Sequence, residues 1–155
     1  MCAVVLALTS AGIARATTRV KVIGTFPAGD AITLGRNQNF HRHLAYTSDR
    51  PVQIWARPYF AGKAANAGSN ASRSYPAGSG EAMGWFFLFD PGARVDEVRV
   101  SAGDGSTQGT QVVATYPVSV TGGEEPVQVS PPPAWVSTLN AADYEKRTKT
   151  PPSSG

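Results

Sequence analysis

Residues 83–102 constrain the fold more than any other stretch, because they predict two β-strands joined by a tight turn. Residues 83–89 (MGWFFLF) are apolar on both alternating faces, which is typical of a strand in the middle of a sheet. Residues 90–92 (DPG) have the composition of a turn. Residues 95–102 (VDEVRVSA) then alternate apolar and polar side chains, as a strand with one buried face does. The chain is therefore predicted to be a β protein built around these two strands.

Other strands are predicted on both sides of this stretch, and no helical period separates them. They lie at residues 18–26, 31–34, 39–47, 52–60 and 111–120. About seven strands at turn-marked spacing predict an all-β fold, an antiparallel two-sheet sandwich spanning residues 17–121. In strand number and turn spacing the domain resembles immunoglobulin-like and fibronectin-III-like modules. It lacks the cysteine pair of antibody domains, and the resemblance assigns no functional residue.

Alternation within the strands assigns side chains to faces. Arg42 falls on the same face as Phe40 and Leu44, whereas His41 and His43 fall on the opposite face. In the last strand, the same alternation predicts five inward side chains, which are Val112, Ala114, Tyr116, Val118 and Val120.

Two of the predicted strands contain a proline, which limits where each strand can lie in its sheet. Pro58 cannot donate a ladder hydrogen bond, so the strand at residues 52–60 should lie at a sheet edge or end near Pro58. Pro117 indicates an edge or a bulge in the last strand for the same reason.

The two ends of the chain differ in composition from the predicted sandwich. Residues 1–16 resemble a signal peptide, with an apolar stretch and a small-x-small cleavage pattern, although no Lys or Arg follows Met1. A buried first strand or helix is the alternative. A signal peptide would make the protein secreted or periplasmic, and export without disulfides favours a bacterial source. The stretch is too short for a membrane span.

Beyond the sandwich, residues 122–133 predict a stiff proline-rich spacer and residues 134–147 a short amphipathic helix. Trp135 and Leu139 lie on one face of that helix, which either packs back onto the sandwich or serves as a detached docking segment. Residues 148–155 are predicted to be a disordered tail. Residues 62–80, rich in Gly, Ala and Ser, predict a long mobile loop.

Neither composition nor motifs indicate an enzyme. His41 and His43 could provide two ligands to one metal ion, but the chain has no other histidine to complete a site, so neither a metal nor another cofactor is predicted. Cys2 is the only cysteine and allows no disulfide within the chain. No nucleophile–base set is recognisable. The net charge of +3 comes from scattered basic residues, which argues against nucleic-acid binding.

An aromatic strand face is the best candidate for binding. Trp55, Arg57 and Tyr59 lie on one face of residues 52–60, either exposed or covered by the predicted loop, and Trp85 could extend the same surface. Two functions follow. The first is an exported, non-catalytic structural or interaction module that forms a homo-oligomer or docks on a protein partner. The second is a carbohydrate-binding module that stacks a polysaccharide on Trp55 and Tyr59.

Overall fold

The computed structural model describes residues 17–36, 38–70, 73–125 and 131–139. The predicted signal peptide at residues 1–16, the second half of the predicted helix and the predicted tail at residues 148–155 lie outside these ranges. Within the described residues, no helix is long and apolar enough to cross a membrane.

The described chain contains ten strands and one short helix. The strands are β1 (Thr18–Phe26), β2 (Ile32–Leu34), β3 (Phe40–Ser48), β4 (Val52–Phe60), β5 (Lys63–Ala64), β6 (Ala67–Ser69), β7 (Arg73–Tyr75), β8 (Gly78–Leu88), β9 (Arg94–Gly103) and β10 (Thr110–Gly122). The helix, α1, spans residues 134–139. Each of the seven predicted strands coincides with one of the longer strands or with β2, and β5, β6 and β7 are additional.

Two sheets pack face to face, as predicted for a β-sandwich. The first sheet has the order β1-β3-β8-β6, and the second has the order β2-β10-β9-β4-β5, with β7 also pairing with β4. The core between the sheets consists of the inward side chains of both, and its largest fully buried members include Phe40, Phe86, Leu44, Ile54 and Val98.

Strand β8 has the interior position that its two apolar faces predict. It lies between β3 and β6, and its inward residues Phe86 and Leu88 are buried. The two strands of residues 83–102 are not neighbours, however, because β8 belongs to the first sheet and β9 to the second. The turn between them crosses the sandwich and is hydrogen-bonded to the end of β10, with Gly92 N donating to Gly122 O at 2.9 Å.

The sandwich is not wholly antiparallel, contrary to the sequence prediction. Strand β2 pairs with β10 in parallel, with Val120 opposite Ile32 and Gly122 opposite Leu34. The reason is that β1 pairs in the first sheet and β2 in the second. The chain passes from the first sheet to the second between β1 and β2 and does not form a hairpin. Strand β2 is therefore free to pair in parallel with β10.

Residues 62–80 are not the continuous loop that their composition predicts. Strands β5 and β7 extend the second sheet at β4, and β6 extends the first sheet at β8. Buried Asn70 ties the segment to β8, because its side-chain oxygen accepts from Trp85 N at 2.9 Å. Tyr75 is buried against Tyr46, with ring centroids 5.4 Å apart. Strand pairing, the hydrogen bond of Asn70 and the packing of Tyr75 thus hold the described parts of a segment that has no apolar period.

Candidate functional site

The outward side chains of β4 occupy the positions that alternation predicts. Trp55 and Tyr59 are half-buried and Arg57 is exposed, whereas Ile54 and Ala56 are buried beneath them. The short strands β5 and β7 pair along the edge of β4 and leave Arg57 exposed.

Pro58 fits this strand because it lies where β4 is close to an edge. Its carbonyl accepts a hydrogen bond from Ala65 N at 3.0 Å, on the side away from β9. Since the N and C=O of one strand residue point to the same side, the missing N–H of Pro58 costs no hydrogen bond to β9.

Two arginines face each other across β4 and β9, with Arg57 directly opposite Arg99. Like charges in this position repel. Each guanidinium is turned onto an aromatic ring: Arg57 lies 5.9 Å from the Trp55 ring centroid and Arg99 lies 4.0 Å from that of Tyr59. Arg99 also forms an ion pair with Glu97, and the hydrogen bond to that carboxylate raises the pKa of Arg99 above its ordinary value.

A β-bulge brings one more apolar side chain to this surface. The pairing of β10 with β9 shifts between Val112 and Ala114, so that Val112 lies opposite Ser101 and is 52% exposed. The prediction that Val112 points inward is wrong, because the extra residue reverses the alternation at that point. Together Trp55, Arg57, Tyr59, Arg99 and Val112 form one continuous surface, which we call the β4 face.

Trp85 lies on the other sheet and does not extend the β4 face. It points outward from β8, half-buried, and begins an aromatic row in which its ring lies 6.4 Å from Phe87. Phe87 in turn contacts Phe89 edge-on at 5.2 Å, and Phe89 is 58% exposed.

The described part of the C-terminal helix packs back onto the sandwich. Trp135 stacks on His43 of β3, with ring centroids 4.7 Å apart and planes 18° from parallel. Val136 is buried, as is Met83 on the outward side of β8. Trp135 and Leu139 are half-buried. Of the two alternatives for this helix, residues 134–139 therefore adopt the packed one.

The two histidines share the outward face of β3, as predicted, but have different partners. His43 Nε2 lies 3.1 Å from a carboxylate oxygen of Glu81. His41 lies beside Phe26, with ring centroids 6.3 Å apart, and burial lowers its pKa below the ordinary 6.5 while a hydrogen bond to Phe26 partly opposes the change. Among the described residues, no three His, Cys, Asp or Glu side chains are grouped so that they could hold a metal ion.

Burial of His41 predicts that the protein loses stability in mild acid. Because the folded state disfavours the imidazolium, the unfolded state binds more protons once the pH falls below about 6.5. The free energy of unfolding should therefore decrease from about pH 7 to about pH 5, and less so in His41→Phe. Urea denaturation of both proteins at the two pH values measures this difference. If the free energy of unfolding falls equally between the two pH values in both proteins, His41 is not the cause of the loss of stability.

Sequence reasoning missed Arg99 and Val112 as members of the β4 face. Alternation placed Arg99 outward, but only the pairing of β9 with β4 puts it beside Tyr59. No local signal marks the bulge at Val112. Comparison with known proteins adds no functional residue, since no family model matches the chain and no curated protein matches it.

Proposed function

We propose that this protein is an exported, non-catalytic interaction module that binds a protein partner, in the simplest case a second copy of itself, through the β4 face. The observation that supports it is the composition of that surface. Trp, Tyr and Arg are the residues enriched where protein interfaces bind most strongly, and the β4 face combines Trp55 and Tyr59 with two arginines. The exported location rests on residues 1–16, which lie outside the described residues.

The sandwich itself is proposed to be of the immunoglobulin type. The orders β1-β3-β8-β6 and β10-β9-β4 correspond in chain order to the two sheets of an immunoglobulin constant domain. Many cell-surface modules share this architecture, yet a fold alone assigns no function. The proposal therefore depends on the β4 face and not on the topology.

The arginines favour a protein partner over a polysaccharide. Stacking on a sugar ring needs an open aromatic face, and in the β4 face a guanidinium lies over one side of each ring, at 4.0 Å for Tyr59. Arg57 is exposed and presents hydrogen-bond donors that suit a carboxylate or carbonyl of another chain. Carbohydrate binding through Trp55 and Tyr59 remains the second candidate.

The test is sedimentation velocity over a concentration series of the full chain. Trp55→Ala should weaken self-association by roughly 30-fold, which corresponds to about 2 kcal/mol for an aromatic anchor. Phe89→Ala is the matched control, because it removes an exposed aromatic side chain from the other sheet. Trp135→Ala tests the helix and should have the smaller effect, since Trp135 already packs on His43.

A pull-down with insoluble polysaccharides distinguishes the second candidate. A protein that is monomeric at every concentration but is retained on polysaccharide, and loses retention in Trp55→Ala, would favour carbohydrate binding. A monomer that no polysaccharide retains would refute self-association and carbohydrate binding together.

A further inference from the structure

A cavity of about 260 Å³ opens at the edge of the sandwich where the β1–β2 connection passes β10. Thr25 and Asp30 line one side, Ser119 lines the other, and Phe40 and Arg42 reach it from the inner face of β3. None of these residues belongs to the β4 face, so the inference below is independent of the proposed function.

Arg42 is the unusual residue in this cavity, because it is only 4% exposed and lies on an otherwise apolar face. Its guanidinium is placed between two rings, 5.4 Å from the centroid of Phe40 and 5.5 Å from that of Tyr116. Within the described residues, Arg42 forms no ion pair, and its Nε has no hydrogen-bond acceptor.

The surroundings of Arg42 explain why its charge is not neutralised by the protein. Its cross-strand neighbours are Thr25 and Gly84, neither of which is acidic. The Tyr116 hydroxyl donates to Val20 O at 3.0 Å and, being neutral, does not compensate the charge of Arg42. A guanidinium carries five N–H donors, and a buried charge is costly unless it is paired. Asp30 is the one acidic residue of the cavity lining, and no ion pair joins it to Arg42, so an acceptor on the cavity side can still serve the guanidinium.

We propose that this cavity binds the carboxylate group of a small molecule, with Arg42 as its partner. The planar guanidinium fork matches a carboxylate in two parallel hydrogen bonds. The hydroxyls of Thr25 and Ser119 line the same space and can donate to the ligand. At about 260 Å³ the cavity lies below the ~300 Å³ at which drug-sized ligands begin to fit, so only a small molecule is accommodated.

The charges of the lining favour a monoanion over phosphate. Arg42 is the one cation among the lining residues, and Asp30 adds a carboxylate to the same cavity. With Asp30 the lining carries no net charge, so a bound carboxylate leaves one negative charge in the cavity, whereas a phosphate dianion leaves two.

The experiment follows the Arg42 Nε–Hε resonance of the ¹⁵N-labelled full chain by NMR. Sodium acetate should shift this resonance saturably, with half-saturation in the millimolar range, and sodium chloride at the same ionic strength should not. The absence of a saturable shift with acetate, or an equal shift with chloride, would overturn the proposal. Saturation by phosphate at lower concentration than by acetate would overturn the choice of a carboxylate.

Two variants test whether Arg42 is the binding group. Arg42→Met should abolish the saturable acetate response, read at the backbone amides of Thr25 and Ser119. Arg19→Met removes the same charge from an exposed position on β1 outside the cavity lining and should retain the response. Retention of the response in Arg42→Met would refute the assignment, and the titration of the unmodified protein decides the proposal even if that variant fails to fold.

Discussion

Replacing Phe86 by alanine should lower the free energy of unfolding by about 3–5 kcal/mol, the largest effect that we expect from one substitution in this chain. Phe86 is 1% exposed and points inward from β8, one of the two interior strands of the first sheet. Its ring contacts that of Phe40 at a centroid distance of 5.3 Å, so alanine leaves a cavity and removes an aromatic pair. Since domains of this size are stable by roughly 5–15 kcal/mol, such a loss brings the protein close to unfolding.

Phe89→Ala is the matched control for this prediction, because it deletes the same ring immediately after β8 where it is 58% exposed. Its only expected loss is the edge-on contact with Phe87, about 1 kcal/mol or less. Urea denaturation of both variants measures how much each substitution lowers the free energy of unfolding. A cost for Phe86→Ala no greater than that for Phe89→Ala would contradict the burial of the Phe86 ring between the two sheets.

The sequence predicts strands and their faces well where each strand carries its own alternation. The bounds of β1 and β4 are predicted to the residue, and the apolar residues of β8 correctly indicate an interior strand. Alternation also places Arg42 on the apolar face of β3, which is its buried position. These features depend on local side-chain order, which the sequence displays directly.

Pairing could not be predicted in the same way, because it depends on contacts between distant residues. Nothing in residues 90–92 distinguishes a turn that crosses the sandwich from one that closes a hairpin, so the sequence does not reveal that β8 and β9 belong to different sheets. Asn70 orders residues 62–80 through hydrogen bonds to β8, which hydropathy does not reveal. The bulge at Val112 likewise requires the register of β10 against β9.

The same limit applies to the candidate site. Trp55, Arg57 and Tyr59 share a strand and could be grouped from the sequence, whereas Arg99 joins them only through the pairing of β9 with β4. Trp85 was grouped with Trp55 because both are outward aromatic residues, but they lie on opposite sheets. Which side chains form one surface is thus decided by strand order, and strand order is not local.

Replacing Arg42 by methionine should raise the free energy of unfolding by about 1–3 kcal/mol, although it removes a buried side chain of similar length. Burial lowers the pKa of Arg42 well below its ordinary value, to about 10, which corresponds to a cost of roughly 3 kcal/mol for the charged form. The cation–π contacts of Arg42 with Phe40 and Tyr116, at 5.4 and 5.5 Å, each offset about 0.5–2 kcal/mol of this cost. Methionine fills similar space, carries no charge to desolvate and packs well against the rings of Phe40 and Tyr116.

Arg57→Met is the control, since it removes the same charge from the exposed β4 face and should change stability by no more than about 0.5 kcal/mol. Thermal and urea denaturation of both variants in carboxylate-free buffer provide the comparison. If the free energy of unfolding increases in Arg42→Met but not in Arg57→Met, the buried guanidinium destabilises the unmodified protein. Such a cost is expected where a buried charge serves binding. A loss of 1 kcal/mol or more in Arg42→Met would mean that the guanidinium stabilises the folded protein, and the energetic argument for a ligand at Arg42 would then fail.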